Sequence, residues 1–541
     1  MILVKVATRV ALAVLAVGAG TSVGRAQQQS CEALQKLSLT GGKVVSAARV
    51  AAGDFVVPAS FGRQMPGMEG LAKKVPAFCR VVAVATPSAD SNINIEVWMP
   101  ESGWNGRFRG QGNGGFAGSI AYPLLELSLM SGYASAGTDT GHAGGGTDAS
   151  WALGQPEKVM DYGYRAIHEM TRIANAAIES YYGKPAQHSY FTGCSNGGRQ
   201  ALMEAQKFPE DYDGILAGAP ANNFTHLLTN ALANLQALAA GNGSYIPPSK
   251  LPAIARAVNA ACDAQDGVTD GVLNDPRECR FDAATLQCKD QDSSECLTAP
   301  QVATLKKLYA GGHTAKGDLI FPGYLPGAED AQGAWLPWIT GPELGKSLLF
   351  AFGGGYFSNM VYEQANWSFQ GVSLDEALKT AEEKTRRNLD AVDVDLTKFS
   401  ARGGKLIVYH GWNDPAISVL GTIDYYESVV KKMGRPKVES FTRLYLVPGM
   451  LHCGDGPGAT SFGEVFGGSP EPEKNINLAL EQWVEKGRAP GPLTATKFAN
   501  DEESGDVKMT RPLCPYPQAA KYKGSGDTND AKNFACAAPL K

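Results

Sequence analysis

Two stretches of this chain alternate short apolar runs with amphipathic ones, and a long stretch between them does neither. In the first, residues 93–99, 107–110, 132–136 and 188–192 are short β-prone runs, 158–182 repeat apolar positions at helical spacing, and 199–206 are rich in helix formers. Residues 214–220, Gly-Ile-Leu-Ala-Gly-Ala-Pro, close it as a further strand. In the second stretch, strands are predicted at 405–409 and 443–447, and helices at about 417–433 and 474–486. Such alternation predicts an α/β fold with a mostly parallel sheet covered by helices. From about 221 to 400 the alternation fails, and Pro, Gly, four cysteines, aspartates and aromatics mix without a period. That composition suits an inserted lid, so the expected organisation is one sheet domain from residues 27–220 and 401–541, interrupted by a lid at 221–400.

The first 26 residues stand apart. Lys5 and Arg9 precede an apolar run from Val10 to Ala19, and Gly24-Arg25-Ala26 supplies small residues for cleavage, the pattern of a secretory signal peptide ending at Ala26. The run is too short for a membrane span and no other segment reaches the required length, so no span is expected in the mature protein. Export suits the ten cysteines, Cys31, Cys79, Cys194, Cys262, Cys279, Cys288, Cys296, Cys453, Cys514 and Cys536, an even set expected to pair in an oxidising compartment. Counting does not fix connectivity. Short loops favour Cys262 with Cys279, Cys288 with Cys296, and Cys514 with Cys536, and joining Cys31 to Cys79 would leave Cys194 and Cys453. No Cys/His cluster has zinc spacing. A net charge of −5 gives no basic footprint and argues against nucleic acid as a partner.

Gly193-Cys194-Ser195-Asn196-Gly197 fits G-x-S-x-G, the strand-to-helix turn on which α/β-hydrolases expose a nucleophile. With 63 glycines in 541 residues the pentapeptide alone is weak, and context decides. Here a β-prone run precedes it and helix formers follow. A serine hydroxyl needs an imidazole to take its proton, and the imidazole needs a carboxylate to fix its tautomer. On this fold the chain order is Ser, then Asp or Glu, then His. Asp414 lies on the exit loop of the strand at 405–409, and of the seven histidines only His452 lies beyond it, leaving the strand at 443–447 through Pro448-Gly449. The expected triad is Ser195, Asp414 and His452, whereas His142 reads as structural. Acyl transfer also needs oxyanion donors. The Asn196 amide supplies one, and the glycine-rich loop Gly112-Asn113-Gly114-Gly115 is placed to supply the other.

A second constellation, residues 262–272, sets three carboxylates among glycines, which suits a hard cation with oxygen ligands. Its spacing is not that of an EF-hand. The expected Ca²⁺ ligands are the side chains of Asp263, Asp266 and Asp270 and the carbonyls of Val268 and Val272, in a structural role.

With these residues in view, the chain resembles the tannase and feruloyl esterase family of α/β-hydrolases, which also includes mono(2-hydroxyethyl) terephthalate hydrolases. The resemblance rests on Trp104-Asn105-Gly106-Arg107-Phe108, on residues 190–199 and 211–220, on the acidic segment from Cys262, on Tyr409-His410-Gly411, on residues 446–453 and on the tail 511–517. It implies a fold with a large inserted lid, a bond between Cys194 and Cys453, Ca²⁺ in the lid, the second oxyanion donor at Gly115, and an aromatic acyl group held between lid and core. Trp335, Trp338, Phe352, Tyr356 and Phe357 are then candidates for the acyl pocket. Half-ester hydrolases of the family hold the free carboxylate with a lid arginine, a bidentate task that lysine performs less well. No arginine occurs from Phe281 through Lys384. The expected function is therefore a secreted or periplasmic serine esterase acting on small neutral aromatic esters, feruloyl or galloyl, ahead of a terephthalate half-ester hydrolase, a peptidase or a non-catalytic binding protein.

Overall fold

The computed structural model describes residues 29–58, 70–464, 468–501 and 504–538. The expected signal peptide, 1–26, lies outside the described residues. Ten strands form one sheet: β1 (Ser38–Leu39), β2 (Gly42–Val50), β3 (Phe78–Ala85), β4 (Ile93–Pro100), β5 (Arg107–Gln111), β6 (Ala134–Thr138), β7 (His188–Cys194), β8 (Gly214–Gly218), and, after a long excursion that carries the small hairpin β9 (Gly311–His313) and β10 (Leu319–Pro322), β11 (Lys405–Gly411) and β12 (Thr442–Val447). Their order across the sheet is β1-β2-β3-β4-β6-β5-β7-β8-β11-β12.

The expectation of a mostly parallel sheet needs correction. From β6 to β12 every neighbouring pair is parallel, but β1 to β4 pair antiparallel, and so does β4 with β6. The reason lies in the missed strands β2 and β3, which pair antiparallel with each other and, through β3, with β4. β2 is largely exposed, with a pattern too polar to announce itself as a core strand.

Helices close both faces. Ala166–Tyr182, Asn196–Lys207 and Val419–Met433 pack on one side, where Ile173, Ala177, Met203 and Tyr426 join the core, and Ile476–Lys486 covers the other with Trp483 and Leu480. The predicted helix at 158–182 is one helical run in three pieces, with a wider turn at Asp161–Arg165, and it stops at Gly183, whose φ of 68° makes the left-handed cap.

Between β8 and β11 the chain forms a separate apolar cluster around helices Phe224–Leu238, Leu348–Tyr356 and Leu374–Leu389. Its two ends are clasped together. Ala391 N–H donates to the Asn222 carbonyl at 2.7 Å, and Thr225 donates from its amide and hydroxyl to the buried Asp390 carboxylate at 2.9 and 2.7 Å. Among the described residues no helix is long and apolar enough to cross a membrane.

Candidate active site

β7 runs straight into helix Asn196–Lys207, and Ser195 at the joint has φ 64° and ψ −122°. A non-glycine residue in that region costs about 1–3 kcal/mol, so its neighbours must hold it there. Ser195 N–H donates to the Gly218 carbonyl at 3.0 Å, and its own carbonyl accepts from Arg199 and Ala221 at 3.0 and 3.2 Å. The turn is also too tight for side chains. A Cβ at Gly193 would lie 2.5 Å from the Gly197 carbonyl, and one at Gly198 would lie 2.2 Å from Gly218 O.

Asp414 sits on the exit loop of β11, fully buried. Its Oδ1 accepts from the Ala416 and Ile417 amides at 2.8 and 2.9 Å, and its Oδ2 accepts from His452 Nδ1 at 2.8 Å. The same Oδ2 lies 3.1 Å from Nε2 of His410, a residue the sequence reading passed over. His410 Nε2 also faces the Ile417 carbonyl at 3.1 Å, so this nitrogen carries the proton while Nδ1 accepts from Thr422 at 2.8 Å. Burial by itself would raise the Asp414 carboxyl. The charge of His452 and the hydrogen bonds from His410 and His452 outweigh it and hold the carboxyl well below the usual range. A fully buried histidine four residues before the acid was the available signal, but burial is not visible in a sequence.

All ten cysteines pair, Cys31–Cys79, Cys194–Cys453, Cys262–Cys279, Cys288–Cys296 and Cys514–Cys536. Cys194–Cys453 joins the residue before Ser195 to the residue after His452 across 259 positions of sequence. Replacing both cysteines by serine is expected to lower stability by about 2–5 kcal/mol and to cut kcat in the fraction that remains folded, because the two loops lose their common anchor. Urea melts and kcat on the purified double variant check this. Wild-type turnover would leave the bridge a purely structural brace.

The glycine-rich loop after β5 narrows the choice of oxyanion donor. Gly112 N–H is spent on Thr192 O, Asn113 N–H on Gln200 Oε1, Phe116 N–H on Gly146 O and Ala117 N–H on Gly114 O. Among the described residues this leaves the amides of Gly114 and Gly115, and Gly115 has φ 56° with Gly146 O only 2.1 Å from where a Cβ would stand. Asn196 begins its helix, so its amide has no partner within the helix. Its side chain is held by Asn113 and by Arg199, whose buried guanidinium also reaches the carbonyls of Tyr162, Gly163 and Leu389.

Ser195, Asn196, Gly115 and His452 line one cavity of about 430 Å³ between sheet and lid. Its far wall is apolar: Leu227, Leu228 and Ala231 from helix Phe224–Leu238, with Leu349, Trp338 and Phe352. Trp338 meets the His452 ring edge-on at 4.9 Å and stacks with Phe352. The other three aromatic candidates are elsewhere. Trp335 packs on Tyr309 and Tyr324, Tyr356 bonds Thr385 through its hydroxyl, and Phe357 packs on Tyr356 and Trp367, all inside the lid's own core. Aromatic content marked the lid, but which rings face the cavity depends on helix phase across broadened turns at Leu336–Thr340 and Phe357–Val361. The leucines of helix Phe224–Leu238 were missed because their spacing reads equally well as packing. Neither arginine nor lysine is among the described lining residues.

Away from the cavity, residues 263–272 fold around Gly267 and Gly271, with φ of 89° and 77°. Asp266, Val268, Asp270 and Val272 line a small cavity of about 20 Å³. Asp263 braces the amides of Asp270 and Gly271, and Asp270 also pairs with Arg511. The loop offers oxygen donors only, three carboxylates and peptide carbonyls, the ligand type that a hard divalent cation takes; their oxygens do not gather at one point, those of Asp266 accepting from the Val268 and Asn274 amides and those of Asp270 from the Val272 amide and Arg511. Pro448 and Ala459, on the loop that carries His452, wall the same small cavity.

A sequence profile of tannase and feruloyl esterase matches residues 79–537. The chain is 40% identical over 535 residues to an uncharacterised esterase of Xanthomonas campestris, covering 94% of this chain and 91% of the relative. It is 34% identical over 466 residues to a probable feruloyl esterase B-2 of Aspergillus terreus, covering 85% and 86%. The crystal structure of feruloyl esterase B from Aspergillus oryzae superposes with a TM-score of 0.85 at 29% identity, over 94% of this chain and 99% of that one. The chain is a carboxylic ester hydrolase with an α/β-hydrolase fold, and it belongs to the tannase and feruloyl esterase family.

Proposed function

We propose that this protein is an exported serine esterase that hydrolyses neutral aromatic esters, hydroxycinnamoyl or galloyl, through an acyl-enzyme. The observation that carries the reading is one apolar cavity with Ser195 and His452 on its wall, Cys194 and Cys453 bonded beside them, and Asp414 bonded to His452. Ser195 Oγ attacks the ester carbonyl as His452 Nε2 takes its proton, and Asp414 holds Nδ1–H and stabilises the imidazolium. The amides of Asn196 and Gly115 receive the developing oxyanion. The alcohol leaves with the proton from His452, and water then releases the acid by the same steps reversed. Trp338 and Phe352 offer flat faces to an aromatic acyl group, and a lining without arginine or lysine offers no partner for a free carboxylate. Five disulfides support export.

A panel of methyl ferulate, methyl gallate, mono(2-hydroxyethyl) terephthalate and a peptide amide tests the reading. Ferulate or gallate ester is expected to exceed the half-ester in kcat/KM by about tenfold or more, because burying an unpaired carboxylate is costly. A half-ester turned over as fast as methyl ferulate defeats the assignment of neutral substrates.

We also propose that Asp263, Asp266, Asp270 and the carbonyls of Val268 and Val272 bind structural Ca²⁺. The ion would neutralise the loop's carboxylates and tie it to the strand exit beneath His452; it takes no part in the reaction. Chelation is expected to lower Tm by several degrees, corresponding to a loss of about 2–4 kcal/mol at saturating ion, with a smaller effect on kcat at temperatures where the protein stays folded. Scanning calorimetry with and without added Ca²⁺ decides; an unchanged Tm after verified removal of metal rejects the site.

A further inference from the structure

We propose that Tyr162 and His142 are positioning residues for the oxyanion hole, bracing the loop after β5 so that the Gly115 amide points into the cavity. The inference rests on the esterase reading above and concerns what holds one of its two oxyanion donors. Glycine fixes no conformation by itself, and Gly112-Asn113-Gly114-Gly115 carries three of them. The direction of the Gly115 N–H therefore has to be imposed from outside the loop.

Three consecutive peptide planes are pinned. Gly114 O accepts from Ala117 N–H at 2.9 Å, and because a trans peptide sets its N–H opposite its carbonyl, this bond turns the Gly115 N–H out of the turn. The next plane is held at both ends: Gly115 O accepts from the Tyr162 hydroxyl at 2.9 Å, and Phe116 N–H donates to Gly146 O at 2.7 Å. The third plane carries the Ala117 N–H, and its carbonyl, Phe116 O, lies 2.8 Å from His142 Nε2. A carbonyl only accepts, so that nitrogen carries the proton. Burial pushes the imidazole down to about 4, which keeps the ring neutral where esters are hydrolysed. The two side chains are fixed in turn. Tyr162, fully buried on the broadened turn Asp161–Arg165, meets His142 edge-on at 6.2 Å, and His142 stacks on Trp151 at 3.7 Å. The Arg199 guanidinium lies 4.7 Å from the Tyr162 ring and also holds the Asn196 side chain, so one cation supports the residues behind both oxyanion donors.

Tyr162→Phe and His142→Phe each remove one donor and keep a ring in place, and either variant can carry the test if the other fails to fold. In each, kcat on methyl ferulate is expected to fall about tenfold, part of the roughly 10²- to 10³-fold that a lost oxyanion donor costs, with KM within about twofold of wild type. A merely structural role would lower Tm without that split. The second readout is a trifluoromethyl ketone analogue of methyl ferulate: Ser195 Oγ adds to its carbonyl carbon, the proton passes to His452, and the former carbonyl oxygen becomes an oxyanion. Its Ki is expected to rise by the factor by which kcat/KM falls, whereas coniferyl alcohol, which has the ring and no carbonyl, is expected to bind wild type and variants alike. A kcat within about twofold of wild type in the folded variants, or a Ki for the ketone unmoved where kcat has fallen, overturns the positioning role and leaves the esterase reading standing. A wild type that hydrolyses neither methyl ferulate nor methyl gallate overturns the aromatic-esterase reading and this one with it.

Discussion

Ser195→Ala is expected to lower kcat on methyl ferulate by about 10⁴- to 10⁶-fold and to leave Tm almost unchanged. The hydroxyl is the only atom removed. Alanine inherits the same φ of 64° and the same backbone bonds to Gly218, Arg199 and Ala221, so the strain of the turn and the means of holding it are both unaltered. What disappears is the covalent route. The residual rate would come from water attacking a substrate still oriented in the cavity and still facing the Asn196 and Gly115 amides. Stopped assays with enough enzyme to see the residual rate, together with a fluorophosphonate probe followed by peptide mass analysis, check both halves. Label on Ser195 in the wild type and none in the variant is the expected pattern. A loss of less than tenfold, or a probe that finds a different serine, removes Ser195 from the mechanism.

The parts of this site that were legible in the sequence are those fixed by local rules. The elbow is a five-residue pattern with steric causes, and the order of serine, acid and histidine leaves one histidine among seven to choose. Three of the five disulfides are the ones favoured by short loops, and with Cys31 joined to Cys79 the remaining pair, Cys194 and Cys453, is the one the family resemblance implies. What was illegible depends on how separate elements pack. The antiparallel half of the sheet is set by β2 and β3; β2 is largely exposed and carries little periodic signal, and β3 is a short, nearly continuous apolar run. Trp335, Tyr356 and Phe357 were candidates by residue type, and only the packing of the lid shows that they bury against other lid residues and not against the cavity. His410 and Arg199 look ordinary in sequence. Their importance lies in bonds to Asp414, to Asn196 and to carbonyls as distant as Leu389.

Asp414→Asn is expected to cost about 10⁴-fold in kcat, for a reason visible in its four bonds. The aspartate accepts at both oxygens, two backbone amides on Oδ1 and two imidazole nitrogens on Oδ2. Asparagine has a single accepting oxygen. The amides of Ala416 and Ile417 are fixed by the loop, so the oxygen stays with them and the NH₂ turns toward the imidazoles. His410 keeps its proton on Nε2 because the Ile417 carbonyl still accepts it. His452 has no such second acceptor among the bonds described, and it answers a donor by moving its proton to Nε2, the nitrogen that should receive the proton of Ser195. The imidazole stays in place in the wrong tautomer. Stability follows separately. A carboxyl held below its unfolded value, about 3.9 for aspartate, contributes stability in full above that value and loses it as pH falls through the folded one. The wild type is therefore expected to lose stability on acidification below about pH 4 more steeply than the variant, while the two differ in kcat at every pH where both are folded. Denaturant melts from pH 3 to 7 and the pH–rate profile separate these effects. A variant with kcat within tenfold of wild type would show that the carboxylate does not set the tautomer of His452.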